Sequence, residues 1–190
     1  VSEAHTVPGR AEPRAVDRAE PPFVVLVGLM GSGKSAVGRS LARRLGMRFA
    51  DSDAIVERLA GRSVREIYSR DGEPAFRELE RRAVAEGCAA AGGGVFAVAG
   101  GAVLDEGSRR VVRARATHVV WLDAPTEELV RRTARAAHRP ALDGDAAGTL
   151  AAMRTDREAL YREISTARVD TGGRSIEAVT DEVARILEHP

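Results

Sequence analysis

The run Gly28-Leu29-Met30-Gly31-Ser32-Gly33-Lys34-Ser35 matches the spacing G-x-x-x-x-G-K-[ST] at every fixed position. Each position in that pattern has a chemical reason. Backbone N–H groups from Gly31 to Ser35 can turn towards an anion and are reinforced by the start of a helix. The Lys34 ammonium can reach the β- and γ-phosphates of a nucleotide, and the Ser35 hydroxyl can fill one position around Mg²⁺. Lys34 is also the one lysine among the 29 basic residues. A chain that otherwise uses arginine puts a compact ammonium on a flexible stem here, where a planar guanidinium would be too wide for a loop wrapped around phosphate.

A pair of carboxylates follows in Asp51-Ser52-Asp53. If this segment closes a strand of a parallel sheet, both acids sit at the carboxyl end of the sheet, where such folds bind ligands. One can then support Mg²⁺ through water, and the other can accept hydrogen bonds from a substrate hydroxyl. Capping of a following helix is the competing role. The chain has no Asn and no Gln, which removes glutamine-oriented hydrolysis and an N-K-x-D guanine reader.

These groups need a scaffold. At 190 residues the chain fits one domain with a real core. The 29 basic and 28 acidic residues nearly cancel, so no net field draws the chain to nucleic acid or a membrane surface. The single cysteine, Cys88, reads as a small buried hydrophobe, and a reducing cytoplasm is the expected compartment. No signal peptide or membrane span is expected. Residues 1–22, rich in Ala, Pro, Glu and Arg, are expected to form a disordered extension, and 23–190 a single domain.

Phe23 to Val27 is a continuous apolar run, as expected of a strand buried on both faces. The loop and a helix ending at Gly46 come next. Further strands are expected at Arg48–Asp51, Val95–Ala99, His118–Leu122 and Arg168–Asp170. Helices are expected at Asp53–Leu59, from Ser63, at Glu73–Ala91, from about Asp105, and at Pro125–Arg135, Leu150–Ile164 and Ile176–Leu187, with Ala136–Gly148 as a polar loop. Strands alternating with helices imply a parallel sheet covered on both faces, a three-layer α/β fold.

Five further motifs stand in order behind the phosphate loop: Phe49-Ala-Asp-Ser-Asp53, Glu73-Pro-Ala-Phe-Arg-Glu-Leu-Glu80, Ala99-Gly-Gly-Ala-Val103, Arg139-Pro140 and Arg157-Glu-Ala-Leu-Tyr-Arg162. With them the chain from about residue 23 to 188 resembles the shikimate kinases. The resemblance implies ATP-dependent phosphorylation of the shikimate 3-hydroxyl in aromatic amino-acid biosynthesis, with Mg²⁺, by a monomer. It also implies a P-loop fold of the nucleoside-monophosphate-kinase type with strand order 2-3-1-4-5, a substrate-binding region around 52–82 and a lid around 136–148.

Carried over residue by residue, the resemblance implies ATP contacts at Gly31, Ser32, Gly33, Lys34, Ser35, Ala36, Arg132, Arg139 and Arg174. Arg132 and Arg174 would lie against the adenine, and Arg139 would reach from the lid to the transferring phosphoryl group. Lys34, Asp53 and Arg139 carry catalysis. Ser35 and Asp51 support the metal. Asp53, Arg77, Gly100, Gly101 and Arg157 hold the substrate, the two arginines on its carboxylate and Glu80 orienting Arg77.

The sequence also departs from the family pattern. Ala99 replaces a common glycine and Ala97 a common serine, so a shifted pocket floor and greater dependence of the metal on Ser35 and Asp51 are expected. Two rival readings stand beside this one: a kinase of the same fold for a cyclitol or gluconate-like molecule, and a nucleotide-binding regulator without catalysis.

Overall fold

The computed structural model describes residues 21–90, 92–134 and 145–188. Five parallel strands form one sheet: β1 Phe23–Val27, β2 Phe49–Asp51, β3 Gly94–Ala97, β4 His118–Asp123 and β5 Ala167–Asp170. Their order is β2-β3-β1-β4-β5, the expected 2-3-1-4-5. The register pairs Asp51 with Ala97 and Leu26 with Ala97. Because every strand runs the same way, all five carboxyl ends meet along one edge, and every loop leaving that edge can contribute to one site.

Seven helices complete the described elements: α1 Lys34–Leu45, α2 Ser52–Ala60, α3 Val64–Ala89, α4 Glu106–Arg115, α5 Thr126–Thr133, α6 Ala146–Ile164 and α7 Ile176–Glu188, with a 3-10 turn at Ala102–Leu104. β1 alternates its side chains between two cores. Val24 and Leu26 join Val37, Leu41, Val179 and Val183 under α1 and α7. Val25 and Val27 join Phe96, Trp121, Leu150, Tyr161 and Ile164 on the opposite face, under α3, α4 and α6. A satellite cluster of Val56, Ile67, Phe76 and Ala83 holds α2 against α3, so the segment around 52–82 is anchored by its own small core. Among the described residues no helix is long and apolar enough to cross a membrane.

The structure differs from expectation at the start of α6 and in the turn after β3. As expected, the helix from Ser63, which opens with a full capping box with Glu66, and the one from Glu73 are separate segments: within α3 they meet at Gly72, whose φ of 77° and ψ of 177° interrupt the helical path. α6 begins at Ala146, four residues before the expected start, because the Asp145 side chain caps it by accepting from Gly148 N at 2.8 Å. The 3-10 turn after β3 was not expected from the sequence; a single short turn has no periodicity to reveal it. Residues 1–20, within the expected extension, and 135–144, within the expected lid and including Arg139, lie outside the described residues.

Candidate active site

The phosphate loop leaves β1 and enters α1. Gly33 caps α1 in the left-handed region, at φ 96°, and supplies no side-chain hydrogen bond, so the first turn keeps its N–H groups for an external acceptor. The Ser32 N–H donates to Leu29 O at 3.2 Å, while its hydroxyl is buried with no partner among the described residues. Lys34 Nζ donates to Gly28 O at 2.8 Å and Leu29 O at 3.0 Å, which folds the side chain back along the loop it serves. Ala36 lies in the first turn of α1, half-buried beside these groups.

Ser35 Oγ donates to Asp51 Oδ2 at 2.5 Å, joining the start of α1 to the end of β2. The second Asp51 oxygen accepts from Asp53 N at 3.1 Å and caps α2. The helix cap and the bond to Ser35 thus fall on different oxygens of one carboxylate. A hydroxyl and a carboxylate brought together are an oxygen-donor pair suited to Mg²⁺, which usually takes few protein ligands and completes its shell with water and phosphate. Ala97, opposite Asp51 in the register, adds only a buried methyl.

Across the same edge, four charged side chains converge. Arg77 on α3 donates from Nη1 to Glu80 Oε2 at 2.8 Å and from Nε and Nη2 to Glu73 Oε1 at 3.1 and 2.8 Å. Glu80 therefore does orient Arg77, from three residues further along the helix. Burial pushes the Glu80 carboxyl up, Arg77 and then Arg157 pull it down, and Asp53 pushes it up, so all three lie within electrostatic reach of it. Arg157 on α6 is only 7% exposed, and its Nε has no partner among the described residues. A buried guanidinium with an unused donor is an arrangement that a ligand carboxylate would complete. Tyr68 was missed by sequence reasoning. It packs on Phe76 with ring centroids 4.6 Å apart, and its phenol, pushed up chiefly by burial, feels both Arg77 and Arg157.

Gly100 and Gly101 bridge the two halves, but not through unusual backbone angles. Gly101 sits at φ −86°, ψ −20°, and among the described residues no residue other than glycine has positive φ. Ala99 is therefore unstrained, and its N–H donates to the buried Ser52 Oγ at 2.8 Å. What the glycines provide is space: a Cβ on Gly101 would lie 2.1 Å from Arg77 Nη1, and one on Gly100 would lie 2.9 Å from Gly28 O.

Arg132 and Arg174 prove heavily engaged with the protein itself. Arg132 donates to Gly31 O at 3.2 Å, to Glu128 Oε1 at 2.6 Å, and to Thr171 Oγ1 and O at 3.1 and 2.6 Å. It fastens the phosphate loop to the loop after β5. Arg174 donates to Asp170 O at 2.9 Å and Ala178 O at 3.1 Å and pairs with Glu182 at 2.6 Å, which pins that same loop to α7. A second hub escaped the sequence altogether. The buried Asp123, ending β4, accepts from Arg154 at 3.0 Å and Arg168 at 2.6 Å. With arginines this common, no local spacing singles out that pair.

The family model described as "Shikimate kinase" matches residues 30–188. A shikimate kinase of Corynebacterium glutamicum is 44% identical over 169 residues, covering 88% of this chain and 96% of that relative. The solved shikimate kinase from Acinetobacter baumannii, in complex with shikimate, superposes with a TM-score of 0.84 at 32% identity, covering 88% of this chain and 93% of that one. A gluconokinase from Sinorhizobium meliloti, 22% identical with a TM-score of 0.54, shares the fold alone. The phosphate loop, the carboxylate pair beside it and the arginine cluster across from it are those of a chain that belongs to the shikimate kinase family.

Proposed function

We propose that this chain transfers the γ-phosphoryl group of ATP to the 3-hydroxyl of shikimate. The observation that carries the reading is the convergence of Asp53, Arg77, Glu80 and Arg157 beside a phosphate loop, one of them a buried arginine with an unpaired donor. Such a pocket suits a ligand with both hydroxyls and a carboxylate, which disfavours a carboxylate-free cyclitol. It also disfavours a purely regulatory nucleotide binder, which has no use for a second, carboxylate-reading pocket.

Lys34 exchanges its loop carbonyls for the β- and γ-phosphates and neutralises charge as transfer proceeds. Gly31, Ser32, Gly33, Ser35 and Ala36 line the phosphates, the backbone N–H groups taking their oxygens. Arg132 and Arg174 hold the neighbouring loop that borders the adenine. Asp53 accepts hydrogen bonds from substrate hydroxyls and takes the proton of the attacking one. Arg77 and Arg157 clamp the carboxylate and so set the angle of attack. Gly100 and Gly101 allow close approach of the substrate, and Arg139 is assigned to charge stabilisation from the lid. Ser35 and Asp51 would hold Mg²⁺, which would supply positive charge beside the phosphates. The enzyme acts as a cytoplasmic monomer and needs no nucleic acid.

Shikimate-dependent ADP release tests this, run beside quinate and a cyclitol. Release with shikimate, and none with the cyclitol, is expected. Activity on the cyclitol alone would overturn the substrate assignment.

A further inference from the structure

α6 carries Arg157 between two anchors. Three residues before it, Arg154 donates to Asp123 Oδ1 at 3.0 Å and to Thr126 Oγ1 at 3.2 Å, which ties the helix to the end of β4 and the start of α5. Four residues after it, Tyr161 is 1% exposed and donates its hydroxyl to Gly100 O at 2.7 Å. The Tyr161 ring is stacked on Trp121, centroids 5.8 Å apart and planes 26° apart, so the hydroxyl has one direction in which to point. A Cβ on Gly100 would stand 3.2 Å from that hydroxyl. At its other end the same loop donates from Ala99 N to Ser52 Oγ at 2.8 Å, next to Asp53.

We propose that the Tyr161 hydroxyl is a positioning group for recognition of the substrate carboxylate: by tying α6 to the Gly100 carbonyl it fixes Arg157 relative to the loop that receives the substrate. The inference rests on the shikimate reading above. A buried hydroxyl must keep a partner, and Gly100 O is the partner the fold provides. Burial pushes the phenol far above its ordinary range, so it remains a donor throughout the working pH. The Arg157 charge, one helical turn earlier on α6, pulls the phenol down against that burial, so the arginine and the tyrosine that ties α6 to the loop act on each other.

The test is Tyr161→Phe, which keeps the ring and its stacking on Trp121. Turnover is measured with shikimate and with its methyl ester, whose carboxyl carries no charge. Loss of one such hydrogen bond should lower kcat/KM for shikimate about 10-fold, mostly through KM, while the methyl ester and the KM for ATP change less than about 2-fold. In an Arg157→Lys background the same change should have little further effect, because the two groups act as a unit. An equal fall for both substrates would reduce Tyr161 to a structural role and overturn the inference, as would an unchanged ratio or additivity in the double variant. Wild-type protein inactive on shikimate would sink the functional reading itself. Wild-type activity with an unaltered ratio in Tyr161→Phe sinks this inference alone.

Discussion

Gly101→Ala displaces Arg77 without mutating it. The added Cβ would lie 2.1 Å from Arg77 Nη1, 3.0 Å from Cζ and 3.2 Å from Nη2. Ordinary contact begins at about 3.5 Å, so the guanidinium must retreat by about 1.4 Å. Its stem is flexible, and the backbone at φ −86°, ψ −20° accepts alanine without strain. Alanine also restricts the unfolded chain, a gain of about 0.4–1 kcal/mol that offsets part of any weakening of the Arg77–Glu80 pair. The melting temperature should therefore stay within about 4 °C of wild type. Function should not be spared: a misplacement of about 1 Å in a positioning residue can cost about 10²-fold in rate. Steady-state kinetics with each substrate varied in turn should show kcat/KM for shikimate down about 10²-fold, or about 2.7 kcal/mol, with the KM for ATP unchanged. Gly100→Ala is the contrast. Its Cβ would press at 2.9 Å on the backbone carbonyl of Gly28, which cannot swing aside, so both substrates should suffer. A wild-type shikimate KM in Gly101→Ala, or equal loss towards ATP and shikimate, would refute the placement of Arg77.

Asp51→Asn should leave α2 capped, since asparagine caps as well as aspartate, yet raise the Mg²⁺ concentration for half-maximal activity about 10-fold; an unchanged Mg²⁺ titration would remove Asp51 from the metal's support. Hydrogen bonds from Arg131, then from Arg132, hold the Glu128 carboxyl at about 2, against an ordinary 4.5. A depressed folded value stabilises above the unfolded one, so the stability difference between wild type and Glu128→Gln should be complete above about pH 4.5 and vanish as pH falls through about 2; urea unfolding across that range would expose a flat difference if the pairing contributes nothing. Burial pushes the Cys88 thiol up to about 11, so a thiol reagent at pH 8 should label the native protein slowly and the urea-unfolded protein at once; fast labelling of the native state would contradict that burial.

Much of the fold was legible because its signals are local. β1 is an apolar run ended by a glycine, α1 stops at Gly46 in the left-handed region, and Ser63 with Glu66 announces the start of α3. Misreadings arose where one polar group outweighed the pattern. Asp145 started α6 ahead of the expected Leu150, whereas the two helices read on either side of Gly72 are indeed separated by its non-helical backbone. Ala99 carries no backbone strain, because the loop runs at ordinary backbone angles and crowding, not φ, is what requires the two glycines after it.

By itself the sequence determined the phosphate loop and its lysine, since eight consecutive residues fix both the conformation and the chemistry. It also determined that helices alternate with parallel strands. The motifs named Arg77, Arg157 and Arg132 among the 28 arginines, but only the tertiary structure showed what holds each of them. Arg77 is held by Glu80 in the room that Gly101 leaves, Arg157 is buried on a helix tied to Asp123 and Gly100, and Arg132 is bonded to Gly31 and Thr171. The physical reason is distance along the chain. The loop's contacts close within a few residues, whereas Tyr161 meets Gly100 across 61 residues and Arg132 meets Gly31 across 101, separations that carry no periodicity and become neighbours only when the sheet aligns its carboxyl ends.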